Sequence, residues 1–160
     1  MSKTIAPKGY YEAGDKLFCQ EVDVPNIMEK DGIYNMDFES ENQLLINIDE
    51  IIASKDKTRS WCQRVINTEN NSATLIAQLP GEGNRLHYHP NWHEWWYIID
   101  GTWKWEIEGK EYIAKKGDLI LMEKGKLHRI TAIGDKPAIR LAVSRDLVPH
   151  IYPEETSRDS

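Results

Sequence analysis

Two histidines one residue apart, a glutamate five positions further on and a third histidine downstream carry the densest chemistry in this sequence: His87, His89, Glu94 and His128. Imidazole nitrogens and a carboxylate oxygen are the donors that first-row divalent cations take, at about 2 Å per bond. In a strand over 85–89, alternate side chains share a face. His87 and His89 then point the same way and Tyr88 the other. Residues 90–93 reverse the chain, and Glu94 opens the next strand. His128, at the start of a later strand, is the natural fourth donor. His93 stands beside Glu94 and would replace it if the register slipped by one. His150 reads as a surface histidine.

The elements that must position these donors are short strands. Runs over 61–66, 73–79, 85–89, 94–99, 102–107, 111–114, 119–122, 127–133 and 138–144 are apolar, alternating or β-branched, with turn residues between them. Asp100-Gly101 is a two-residue hairpin signal, and Glu108-Gly109 and Gly134-Asp135 are further turns. The predicted class is all-β, a sandwich or barrel with hardly any helix. One short helix is expected near 44–53, capped by Asn47 or Asp49. The predicted organisation is an N-terminal arm over 1–60, a barrel over 61–148 and a polar, loosely ordered tail over 149–160.

Bulk properties narrow the function classes. The 160 residues are 40% hydrophobic and 29% charged, with a net charge of -6. That balance, without clustered Lys or Arg, argues against nucleic acid as partner. No apolar run approaches the ~18–20 residues that span a bilayer, so no membrane partner is expected. Residues 1–10 lack the apolar stretch of a secretory signal. Cys19 and Cys62 are the only cysteines and read as reduced thiols of a cytoplasmic protein.

The segment Gly81-x5-His87-x-His89-x4-Glu94-x6-Gly101, followed by Gly117-x5-Glu123-x-Gly125-x2-His128, resembles the two motifs of the cupin superfamily. Glu123 stands where proline is usual and Ala132 where asparagine is usual, and neither touches the ligand set. The likeness covers roughly residues 60–145. It implies a jelly-roll β-barrel holding one divalent metal ion on His87, His89, Glu94 and His128. Fe(II) is favoured; Mn, Ni, Co and Zn suit the same donors. Cupins are commonly dimers, so a homodimer is expected.

Pairing across a 100–101 hairpin would set Trp96 opposite Trp105 and Ile98 opposite Trp103, with all four inward. Trp96, Trp103 and Trp105 then either line a narrow aromatic pocket or fill the core. Arg85 shares the face of His87 and His89. A guanidinium there is costly unless paired; it reads first as the anchor for a substrate carboxylate or phosphonate, and otherwise as a rim residue paired to Glu82, Glu94 or Asp100. The order Asn84-Arg85, His89, then Glu94-Trp95-Trp96-Tyr97, is similar to the 3-hydroxyanthranilate-type dioxygenases, where the matching arginine grips the substrate. That family departs at His87, Ala132 and Ser144. The leading expectation is a non-haem Fe(II) oxygenase acting on a small anionic substrate. A metal-assisted lyase or isomerase similar to the dimethylsulfoniopropionate lyases is the second reading, and a small-molecule-binding cupin without turnover the third.

Overall fold

The computed structural model describes the backbone of residues 10–13 and 16–156 and the side chains of residues 19–154. Period-two alternation decides the strands nearest the donors. Strand β6 (Glu94–Asp100) buries Glu94, Trp96 and Ile98 and leaves Trp95 and Tyr97 exposed. Strand β7 (Thr102–Ile107) buries Trp103 and Trp105, and β10 (His128–Ile133) buries His128, Ile130 and Ala132.

The remaining elements, in chain order, are β1 (Tyr10–Ala13), β2 (Lys16–Glu21), α1 (Val24–Lys30), β3 (Asn35–Asp37), α2 (Ile48–Ser54), β4 (Trp61–Asn67), β5 (Ser72–Gln78), β8 (Lys110–Lys115), β9 (Leu119–Met122), β11 (Ala138–Ser144) and β12 (His150–Thr156). A six-stranded sheet runs β3-β4-β5-β11-β6-β9 and a three-stranded sheet runs β10-β7-β8. Between them lies one apolar cluster, with Trp96, Ile98 and Met122 from the larger sheet and Trp103, Trp105, Ala114, Ile130 and Ala132 from the smaller. The opposite face of the larger sheet packs Trp61, Leu75 and Ile139 against Ile48, Ile51 and Ile52 of α2. The result is a jelly roll whose described sheets stay open sandwich layers and are not joined by hydrogen bonds into a closed barrel.

Helix α2 begins where its cap predicts, with Asn47 Oδ1 accepting from Glu50 N at 2.9 Å. Helix α1 has a weaker signal: it is one seven-residue run that fully buries only Ile27. Glu108 and Gly109 take φ of 49° and 81°, so the β7–β8 turn is the left-handed type that twists with its strands. It pairs Ile107 with Lys110.

Three expectations are corrected. The Asp100-Gly101 pair is not a hairpin. Both edges of β6 are taken, by β11 and β9, and both edges of β7 by β10 and β8. The chain instead changes sheets at Gly101. The inward set survives because alternation, not pairing, determines it.

The segment 85–89 is not a regular strand either. It makes single bridges to two different neighbours, His87 to His128 and Tyr88 to Ile151, because its successive backbone groups find partners in different sheets. Over 150–156 the expected loose tail is instead β12, which pairs with β2 in a third sheet, β1-β2-β12, while 157–160 lie outside the described residues. Ile151 and Tyr152, both essentially buried, supply the apolar surface that orders it.

Neither described cysteine is in a disulfide. Cys62 is 1% exposed among Ile33 and Ile76, and burial pushes its thiol up to about 12. Only the thiolate is an efficient nucleophile, and at pH 8 roughly one molecule in ten thousand would carry it. Iodoacetamide at pH 8 is therefore expected to leave Cys62 of the folded protein unmodified and to alkylate it in denaturant. Peptide mass spectrometry reads the difference. Comparable labelling in both conditions would contradict this burial.

Candidate metal centre

His128 comes from the first position of β10 and Glu94 from the first of β6. His87 and His89 come from the segment that bridges β10 on one side and β12 on the other. One donor atom from each of the four lies within 4.8 Å of every other, and all four residues are buried. That spacing suits a single ion with bonds of about 2 Å.

The backbone has chosen which nitrogen each ring offers. His87 Nδ1 lies 2.7 Å from Arg85 O, and His128 Nδ1 lies 2.9 Å from Lys126 O. A carbonyl only accepts, so each Nδ1 carries the proton and each Nε2 presents a lone pair. This is the outer-layer contact that fixes metal-binding imidazoles. His128 Nε2 is buried and has no hydrogen-bond partner. Buried polar atoms without partners are rare and costly, and an ion between the four donors would satisfy this one.

His89 gives a second argument of the same kind. Its Nδ1 lies 3.1 Å from Pro149 O and its Nε2 lies 2.7 Å from Glu94 Oε1. Both nitrogens face oxygen acceptors. A cation shared by Nε2 and the carboxylate would suit this arrangement. Burial lowers His128 to about 4 and holds His87 well below the ordinary imidazole range, reinforced by the neighbouring histidines. Both rings are neutral near pH 7, the state that binds metal. The residues present therefore fit a divalent ion.

His93 does not join the group: its Nδ1 accepts from Lys124 N at 2.9 Å. The register that begins β6 at Glu94 is the one the glycine spacing favours.

Arg85 is placed differently from the expected anchor. Its Nε donates to Asp31 Oδ1 at 2.7 Å, one Nη to Glu21 Oε1 at 3.2 Å and the other to the Tyr152 hydroxyl at 3.1 Å. Its guanidinium carbon also sits 4.1 Å from the centre of the Tyr152 ring. Two carboxylates from the N-terminal segment balance its charge and occupy the donors an incoming acid would need. Nothing in local sequence pointed to Asp31 and Glu21, which lie 54 and 64 positions away.

Asp31 is 6% exposed at its side chain, and burial pushes its carboxyl up despite Arg85. Breaking a buried pair strands its partner. Asp31→Asn is expected to lower stability by about 2 kcal/mol, measured by urea denaturation; an unchanged midpoint would show that the pair contributes nothing.

The three tryptophans separate by position. Trp96 lies edge-on to His128, with ring centroids 5.7 Å apart, and Trp105 packs against Trp96 at 5.6 Å. Trp103 is deeper and carries the buried Arg140 guanidinium on its face at 4.4 Å. Trp103 and Trp105 have no exposed surface, so they fill the core, and Trp96 borders the donors. A surface cavity of about 360 Å³, lined by Asn91, Trp92, His93, Trp95 and Ser144 among others, lies on the outer side of β6 and takes in none of the four donors.

Comparison with known proteins places this geometry in context. A model of the cupin domain matches residues 74–144. The chain is 29% identical over 80 residues to the oxalate decarboxylase of Bacillus subtilis, covering 47% of this chain and 21% of that protein. It is 32% identical over 63 residues to a tetracenomycin polyketide synthase protein of Streptomyces glaucescens, covering 39% and 42%. The chain thus spans less than half the length of these curated relatives. Among solved structures, a double-stranded β-helix protein of Klebsiella pneumoniae superposes with a TM-score of 0.59 at 19% identity, over 69% of this chain and 98% of that one. A Thermus thermophilus protein gives 0.55 at 21%, over 63% and 96%. These likenesses establish the fold. No described helix is long and apolar enough to cross a membrane.

Proposed function

We propose, for a member of the cupin superfamily whose cupin domain spans residues 74–144, that His87, His89, Glu94 and His128 hold one divalent cation in an enzyme acting on a small carboxylate-bearing substrate. The observation that carries the reading is the set of four buried donor atoms within 4.8 Å of one another, with His128 Nε2 otherwise unpartnered. A metal bound there supplies Lewis-acid chemistry or, as Fe(II), redox chemistry with O2. Around it, the protein's own residues hold the imidazoles in one tautomer, and Trp96 keeps water off the His128 side. Arg85, neutralised by Asp31 and Glu21, serves the wall of the site and not the substrate.

Fe(II)-dependent oxygenation is the first reading of the reaction. Metal-assisted cleavage of a carboxylate is the second, favoured by the likeness to a protein named as an oxalate decarboxylase. Metal analysis of protein purified without chelator, then anaerobic Fe(II) reconstitution and exposure to a panel of acids, separates them. O2 uptake with one acid supports the first. Release of CO2 or an unsaturated product without O2 uptake supports the second. A protein that holds no metal under any loading condition would sink both.

A homodimer is part of the same reading. The outer face of β6 and β9 exposes Trp95, Tyr97, Leu119 and Leu121 side by side, an apolar surface of the kind found in subunit contacts. Light scattering of the purified protein tests the mass.

A further inference from the structure

His150 lies outside the residues that match the cupin model, yet it stands against the donors. Its ring is stacked on His87, with centroids 4.8 Å apart and planes 16° apart, and meets His89 edge-on at 4.3 Å. Its Nδ1 lies 3.0 Å from Val148 O. This tether to the carbonyl two residues back is the one that His87 makes to Arg85 and His128 to Lys126. The preceding residue contributes as well, since Pro149 O accepts from His89 Nδ1 and selects its tautomer.

Strand β12 is itself anchored at several points. Tyr88 and Ile151 exchange both backbone hydrogen bonds, at 3.1 and 3.0 Å. His150, Ile151 and Tyr152 are paired with Glu21, Gln20 and Cys19 of β2. The Tyr152 hydroxyl accepts from Arg85, two residues before the first donor. One continuous segment thus touches Arg85, His87, Tyr88 and His89.

We propose that the Pro149–His150 step is part of the metal centre, with His150 a positioning residue that holds the His87 ring by stacking while Pro149 O orients His89. The inference rests on the metal reading above. On this view the cupin domain supplies the four donors, and a strand outside the matched region fixes two of them in place. Loss of an outer-layer contact typically costs ten- to a hundredfold in metal affinity.

The test is Co(II) titration of wild type, His150→Ala and His150→Phe, followed through the visible absorption of the bound ion, with circular dichroism of the metal-free proteins as the check on folding. His150→Ala is expected to bind Co(II) about tenfold to a hundredfold more weakly, with altered band positions. His150→Phe, which keeps a ring for the stack, should recover most of the affinity. A His150→Ala protein with wild-type affinity and spectrum would overturn the proposal. If the variant does not fold, amide hydrogen exchange of wild type decides instead. Zn(II) should slow exchange at Ile151 and Tyr152, and unchanged exchange overturns the proposal. Wild type that binds neither Co(II) nor Zn(II) would instead overturn the metal reading on which it rests.

Discussion

Replacing His128 with alanine is expected to weaken divalent-metal binding by at least a hundredfold and to abolish the rise in melting temperature that the metal confers. The donor is removed outright, and even changes one layer further out cost ten- to a hundredfold. His128 is also the donor with the least alternative: it has no exposed surface, and its Nε2 has no other partner. A ligand that binds only the folded state stabilises it by RT ln(1 + [L]/Kd). At a metal concentration a hundred times the wild-type Kd, wild type gains about 2.7 kcal/mol and the variant less than half a kcal/mol. Differential scanning fluorimetry with and without Zn(II) measures both. Equal shifts in the two proteins would remove His128 from the centre. The metal-free variant also loses the bond to Lys126 O and the packing against Trp96, so each protein's shift is read against its own metal-free melting temperature.

The second large effect concerns folding. Gly101→Ala is expected to cost about 2–5 kcal/mol. Gly101 has φ of +74°, and an added Cβ would lie 2.5 Å from Ala138 Cα and 2.9 Å from Pro137 O. The left-handed conformation alone costs an alanine about 1–2 kcal/mol, and overpacking against backbone typically adds 1–3 kcal/mol. For a chain of this length, such a loss lowers the melting temperature by on the order of 10 °C. Gly117→Ala is a useful contrast: its φ is +93°, but nothing lies within 4 Å of its added Cβ. It should show the conformational cost without the clash. If the two variants melt together, the crowding at Gly101 is not what its glycine serves.

The donor set was legible in the sequence because cation chemistry restricts residue types and strand geometry restricts spacing. Those constraints grouped the histidines, the glycine spacing of the cupin-like motif preferred Glu94 to His93, and the structure brings His87, His89, Glu94 and His128 together. The facing of Trp96, Ile98, Trp103 and Trp105 was legible too, since alternation determines a side chain's face whatever the strand pairs with. Pairing was not legible. Asp100-Gly101 has the composition of a hairpin turn, and the same left-handed glycine serves equally where a chain crosses to another sheet.

Arg85 was misassigned because a buried cation's partners are set by tertiary contacts. Asp31 and Glu21 sit in a segment with no periodic pattern to place it. His150 was hidden for a related reason. A strand of polar, proline-containing sequence forms only because β2 and Tyr88 offer it partners, and neither is visible from residues 149–160 alone.

The four donors belong to three different parts of the architecture: the larger sheet, the smaller sheet and the segment that bridges β10 to β12. An ion held by all of them would act as a cross-link. It would tie residue 87 to residue 128 and close a loop of about forty residues, whose free ends would otherwise have to be brought together at an entropic cost. The metal would then govern how fast this end of the sandwich opens as well as what is bound in it. Chelation should therefore speed local unfolding at the mouth before it changes the exchange of the tryptophan core.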